Sequence, residues 1–205
     1  MIDSYQIPSA DLVIEEEIKH SRFISFLFHC QSGEELKCAL TNIKGEYPGA
    51  SHYCYAFVNA APDNSMAIGS SDDGEPAGSA GRPMLATLQG SGVGEIGAIV
   101  VRYFGGTKLG VGGLVRAYSS GIRQGLTQLQ TELKQIRYPG LLECDYGQLQ
   151  DVEYLLKQSD GVISDRSFTD KVLVTFELPK RYRDQLNTDL ATMSQGKLKA
   201  NFELE

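Results

Sequence analysis

Three carboxylates fall within four positions, Asp72, Asp73 and Glu75, in the run Ser71-Asp-Asp-Gly-Glu-Pro-Ala-Gly-Ser-Ala-Gly-Arg-Pro-Met84. Oxygen ligands this close could hold Mg²⁺ or Ca²⁺, and a metal so held could place a phosphorylated substrate against nearby cations. The spacing of a calcium-binding helix–loop–helix is absent, however. A short acidic loop is more simply solvated, or folded into an Asx-type turn around Gly74 in which Ser71 or Asp72 accepts from backbone amides. A second constellation follows in Val100-Val-Arg-Tyr-Phe-Gly-Gly-Thr-Lys-Leu-Gly-Val-Gly-Gly-Leu-Val-Arg116, where Arg102, Tyr103 and Phe104 precede Gly105 and Gly106. A guanidinium beside aromatic rings, next to backbone bare of side chains, suits a phosphate with a stacked base or an acidic peptide. The competing account is strand alternation, which buries one ring and leaves the others partly exposed.

Other motifs carry less. His52 and Cys54 alternate on one strand face as a nucleophilic pair would, but no third orienting group stands nearby, and Cys is among the most buried residue types. Gly92-Val-Gly-Glu-Ile-Gly97 has the lettering of a dinucleotide fingerprint yet precedes a strand instead of following one, so it reads as a turn. Gly105-Gly-Thr-Lys108 lacks the Walker spacing. Cys30, Cys38, Cys54 and Cys144 contain no CxxC pair and read as reduced, mostly buried thiols. No catalytic residue, metal ligand or cofactor is assigned.

The chain's net charge is −7, against a generic polyanion binder, but its distribution is uneven. From Arg82 to Arg123 five bases (Arg82, Arg102, Lys108, Arg116, Arg123) face one acid, Glu95, while Asp63 to Glu75 holds four acids and no base. The same region contains 14 of the 22 glycines, between Gly69 and Gly121. Glycine is entropically costly, so such density marks tight turns or backbone that another molecule approaches. Hydrophobic content of 41% and charged content of 22% are those of a globular protein. No apolar run is long enough for a membrane span and no signal-peptide pattern opens the sequence, which points to the cytoplasm and no membrane partner.

Alternation predicts a hairpin of Leu12–Ile18 with Arg22–Phe28, then a helix carrying Leu36, Ala39, Leu40 and Ile43, and a strand over His52–Val58. Residues 59–78 read as a long polar loop. A helix beginning near Pro83, a buried strand over Ile96–Val101 and a helix from Gly112 or Gly113 to about Leu129 complete an α/β domain assigned to residues 1–131. Beyond it the order is strand (138–146), helix (148–157), strand (161–168), strand (172–178), helix (180–193), strand (197–204). This βαββαβ plan is ferredoxin-like and is assigned to residues 132–205, making the chain an α+β protein of two domains.

Ser71–Pro76, Gly78–Pro83, the Val100–Gly106 block with Leu109-Gly110, and Gly112-Gly-Leu114 together resemble the IMPACT/YigZ family. The resemblance implies an N-terminal domain of the ribosomal-protein-S-five-domain-two-like type, an α/β sandwich, and a C-terminal domain similar to the fifth domain of elongation factor G. Both folds also occur in translation proteins. Eukaryotic relatives act in translational control through protein contacts with the kinase-activating machinery of amino-acid starvation, and carry an N-terminal RWD domain without counterpart in this sequence. The expectation is a non-enzymatic regulator of translation that binds RNA or the ribosome, with a protein partner as a further option. Its surface would comprise Arg82, Arg102, Tyr103, Gly105, Gly106, Lys108 and Arg116, beside the acidic loop Asp72, Asp73, Gly74 and Glu75. The alternative is a metal-dependent enzyme acting on a phosphorylated substrate through Asp72, Asp73 and Glu75.

Overall fold

The computed structural model describes residues 3–202. After a short strand β1 (Ser4–Pro8), β2 (Leu12–Ile18) and β3 (Ser21–His29) form the expected hairpin. Its two-residue turn places Lys19 and His20 at φ 49° and 66°, the doubly left-handed geometry that matches strand twist. Helix α1 (Gly33–Glu46) starts at Ser32, whose hydroxyl accepts from the Glu35 amide. Then come β4 (His52–Val58), β5 (Ile68–Ser71), α2 (Gly81–Gly90), β6 (Ile96–Tyr103), α3 (Val111–Gln128) and β7 (Thr131–Gln135).

In the unit Tyr5–Lys134 the sheet order is β2-β3-β6-β4-β5, with every pairing antiparallel. Leu36 and Ile43 of α1 pack on one face against Ile24, Phe28, Ile99 and Val101. Met84 and Leu88 of α2 and Leu114, Tyr118 and Ile122 of α3 cover the other, against Phe23, Leu27 and Val100. Strands β3 and β6 are thus buried on both sides, which is why their sequences are nearly unbroken apolar runs and not alternating ones.

The other unit holds residues 3–4 and 135–202, and its elements are β8 (Tyr138–Cys144), α4 (Leu149–Gln158), β9 (Val162–Phe168), β10 (Val172–Leu178), α5 (Arg183–Ser194) and β11 (Asn201–Phe202). Its antiparallel order β11-β8-β10-β9 is the ferredoxin-like one. Val152 and Leu156 of α4 and Leu186 and Leu190 of α5 close over Leu142, Val174 and Phe176.

Several boundaries differ from expectation. The polar stretch 59–78 contains β5, a strand of Ile-Gly-Ser-Ser at the sheet edge, too short and polar to signal itself. Strands β1 and β7 pair with each other and were not expected, and the division between units falls at Lys134/Gln135, past the 131/132 boundary. The last strand was expected to reach residue 204; it is seen at Asn201–Phe202, and the remainder lies outside the described residues. Cys30, Cys54 and Cys144 are buried, Cys38 is exposed, and all four are free thiols.

The Gly92–Gly97 run is indeed a turn leading into β6, and it presents Glu95 to a buried polar cluster. One carboxylate oxygen accepts from Tyr5 Oη at 2.7 Å and from Lys134 Nζ; the other meets His29 Nε2 at 2.8 Å and Gln31 Nε2 at 3.0 Å. Burial alone would raise this carboxyl's pKa, but the bonds from Lys134, His29, Tyr5 and Gln31 outweigh it and hold the pKa down at about 2. A folded pKa below the ordinary 4.5 contributes stability that is complete above that pH and lost as pH falls towards 2. Urea unfolding across this window should show the wild type losing up to about 3 kcal/mol on this account. Glu95→Gln should be less stable at neutral pH and lack that component of the acid slope; an unchanged slope would refute the assignment.

Candidate nucleic-acid interface

The acidic loop is not an open metal cradle. Asp72 accepts from the amides of Gly78 at 2.8 Å, Ala80 at 3.0 Å and Gly81 at 2.8 Å, so it caps α2 from eight or nine residues upstream. Although burial opposes ionisation, these amides, with the charge of Arg82, lower its pKa. Gly81 permits the arrangement, because a Cβ there would lie 2.8 Å from the Ser71 backbone. Asp73 Oδ2 accepts from the Tyr53 amide at 2.6 Å, and Gly74 makes the turn at φ 86°. Glu75 is buried, 8% exposed. Among the described residues no cluster of three His, Cys, Asp or Glu side chains is placed to hold a metal. The metal-dependent alternative therefore loses its ligands, each to a different internal partner.

Arg102 is likewise not the open guanidinium expected from the sequence. It is 5% exposed and donates from Nη1 to Glu75 Oε1 at 2.6 Å and from Nη2 to Ser21 Oγ at 3.4 Å. Its guanidinium lies between the rings of Phe23 and Phe104, at 5.4 and 5.5 Å from their centroids. Tyr118 Oη donates to the same Glu75 oxygen at 2.8 Å. Burial, then the proximity of Cys54 and Glu75, raises the Tyr118 pKa and keeps the phenol protonated. Cys54 Sγ donates to the Asp72 carbonyl at 3.0 Å, and burial pushes the thiol up to about 12. His52 donates from Nδ1 to the Asp73 carbonyl at 2.8 Å, since a carbonyl can only accept. The His52–Cys54 pair is thus a structural one, with a thiol that resists ionisation.

Strand alternation separates Tyr103 from Arg102. Tyr103 points to the α1 side, where its hydroxyl donates to the Pro48 carbonyl at 3.2 Å and Arg22 stacks on its ring at 5.8 Å. Gly105 is sealed against the hairpin turn, where a Cβ would overlap the His20 carbonyl, whereas Gly106 is exposed, at φ 81°. Much of the glycine density is packing: Gly94, Gly97, Gly121 and Gly125 also sit where a Cβ would meet neighbours at under 3.0 Å.

Four cations remain outward: Arg82 on α2, Arg116 and Arg123 two turns apart on α3, and Lys108 in the loop before α3. None forms an ion pair within 4.0 Å among the described residues. Arg82 and Arg123 border a groove of about 880 Å³ between α2 and α3, lined also by Thr87, Ser119, Leu126 and Thr127 and by no carboxylate. From Gly81 to Gln128 the only acid is the buried Glu95. Arg123 was not singled out for this surface from sequence; its seven-residue spacing from Arg116 on an acid-free helix was the available signal.

Removing one partner of a buried ion pair strands the other charge, so Arg102→Ala should cost about 3–5 kcal/mol. Arg116→Ala, on the open face, should stay within about 0.5 kcal/mol of wild type. Thermal and urea unfolding of the two variants checks this, and equal stabilities would contradict it.

Residues 19–126 match the Impact N-terminal domain, and residues 142–197 match a domain of unknown function, DUF1949. The IMPACT family member YigZ of Escherichia coli (strain K12) is 47% identical over 197 residues, covering 96% of this chain and 97% of that protein. An IMPACT family member of Haemophilus influenzae is 43% identical, covering 95% and 94%. A crystal structure of a hypothetical protein, 46% identical, aligns with 100% of this chain and 99% of its own at a TM-score of 0.77. With one domain match spanning most of the N-terminal unit and relatives similar along nearly the whole length, the chain belongs to the IMPACT family.

Proposed function

We propose that the protein is a non-enzymatic, RNA- or ribosome-associated regulator of translation that engages phosphates through the α2–α3 face. The observation that carries this reading is the charge pattern of that face. On a chain of net charge −7, Arg82, Arg116 and Arg123 stand exposed on two helices that contain no acid. None of the three forms an ion pair within 4.0 Å among the described residues, and only Arg82 lies near enough to a carboxylate, Asp72, to lower its pKa, so the favourable partner of this face is an external anion. Arginine on a helix face suits phosphodiester oxygens, which it can bind with two parallel bonds.

The groove between the arginines adds the hydroxyl of Ser119, which can donate to phosphate without selecting base sequence, whereas those of Thr87 and Thr127 donate to the Pro83 and Gln124 carbonyls. The resemblance of both domains to folds of translation proteins fits an RNA partner; folds host many functions, and the charge pattern is the physical support. Arg102 takes no part, since it is committed inside the protein, and Tyr103 takes none because it lies on the α1 side of the sheet.

Filter binding of single-stranded RNA across a salt series tests the surface. Wild-type affinity should fall with salt, and the variant carrying Arg82→Ala, Arg116→Ala and Arg123→Ala should bind more weakly, with a slope shallower by about 2. Its melting temperature should match that of wild type. Indistinguishable slopes from the two folded proteins would reject the interface.

A further inference from the structure

Where β6 runs out, the loop into α3 encloses a second, smaller cavity of about 380 Å³. Arg102 and Glu75 contribute to its wall, and Phe104, Lys108, Leu109 and Val111 to the rest. The first turn of α3 opens onto it. Helix α3 is 18 residues long, starts at Gly110 without a side-chain cap, and has no acidic residue in its first turn. The amides of Gly113 and Leu114 turn back to the Gly110 carbonyl, which leaves those of Val111 and Gly112 without an acceptor among the described residues, and of these two Val111 lines the cavity. Such a terminus attracts an anion.

Independent features point the same way. Arg102 is buried on the cavity wall, yet its Nε has no hydrogen-bond partner among the described residues, and a buried N–H left over by the protein calls for a water or ligand oxygen nearby. Lys108 borders the cavity and is outside every ion pair among the described residues. Glu75, the carboxylate on the wall, is already neutralised by Arg102 at 2.6 Å. The local balance is therefore positive. The other component is apolar: Phe104 and Val111, 50% and 57% exposed, are large side chains left in water at the cavity's edge. The Arg102 guanidinium already stacks on the Phe104 ring at 5.5 Å, while half of the side chain remains open.

Free amides with an ammonium recognise an oxyanion, and an exposed ring beside aliphatic side chains recognises a flat group attached to it. We propose that this cavity binds a nucleoside phosphomonoester, with the phosphate at the start of α3 beside Lys108 and the base against Phe104. A free nucleotide and the phosphorylated end of an RNA present this same chemistry. The site uses none of Arg82, Arg116 or Arg123, so it goes beyond the α2–α3 interface and stands or falls separately.

Calorimetric titration with adenosine monophosphate, adenosine and inorganic phosphate tests it. The nucleotide should bind, with adenosine and phosphate each weaker by about tenfold or more, since each lacks one half of the recognition. Lys108→Ala should weaken the nucleotide by about tenfold. Val111→Asp should abolish binding while keeping or raising the melting temperature, because a carboxylate in the first turn favours the helix but occupies the anion's place. The triple arginine variant should retain wild-type affinity for the nucleotide. No heat from the nucleotide, or unchanged affinity in both Lys108→Ala and Val111→Asp, would overturn the proposal. An oligoribonucleotide that binds more tightly when its end is phosphorylated, and more tightly than the mononucleotide, identifies an RNA end as the source; affinity no better than the mononucleotide's identifies the free nucleotide.

Discussion

The buried contact between Arg102 and Glu75 is the constraint around which the N-terminal unit is organised. Removing both charges from water is expensive, and their 2.6 Å bond offsets that cost only with help from the surrounding groups. Tyr118 of α3, Ser21 at the hairpin turn and Phe23 of β3 supply that help, so a single pair ties a loop, a helix and two strands together. Once Glu75 is fixed, the loop before it has little freedom. Asp72 is left facing the start of α2 and Asp73 the edge of β4, where each carboxylate satisfies amides that would otherwise be unpaired.

This internal use of acids decides what the outside looks like. The carboxylates in the Ser71–Pro76 segment are consumed by the fold, and so is one of the five bases in the glycine-rich region, leaving Arg82, Lys108, Arg116 and Arg123 as a cationic surface. Screening over a Debye length of about 8 Å at physiological salt means that acids elsewhere on the molecule do little to cancel it at contact range. A negative net charge and a locally positive face are therefore compatible: the first sets solubility and slows nonspecific association, the second acts only where a phosphate is already close.

The sequence made legible whatever depends on local periodicity. The hairpin, β4, β6, both long helices of the N-terminal unit and the βαββαβ order were all readable, because burial imposes periods of 2 and 3.6 on the residues themselves. Strand β5 was not readable, since Ile-Gly-Ser-Ser carries neither pattern and becomes a strand only because β4 offers an unpaired edge. The site suffered the same limit in stronger form. Arg102 finds its carboxylate 27 residues away and its hydroxyl 81 residues away, so nothing near it in sequence reports that it is buried. Tyr103 was misplaced for a simpler reason: adjacent residues on a strand face opposite sides, and that rule alone separates it from Arg102.

The two helices that begin in the glycine-rich region show why one terminus is closed and the other open. Helix α2 has its first amide, that of Gly81, bound by a carboxylate that also holds the amides of Ala80 and Gly78 just before it, so an external anion would have to displace Asp72 from three hydrogen bonds. Helix α3 begins at a glycine with φ 73°, a conformation that side chains suited to capping rarely adopt. Glycine at this position costs only a few tenths of a kcal/mol relative to a capping residue, so leaving the terminus uncapped is a small thermodynamic concession. It is also the terminus next to Lys108 and the orphan Nε of Arg102. Had stability alone shaped the segment, an aspartate in that first turn would have gained the favourable dipole interaction already exploited, by a different route, at α2. The contrast within one unit assigns the start of α3 to something outside the chain.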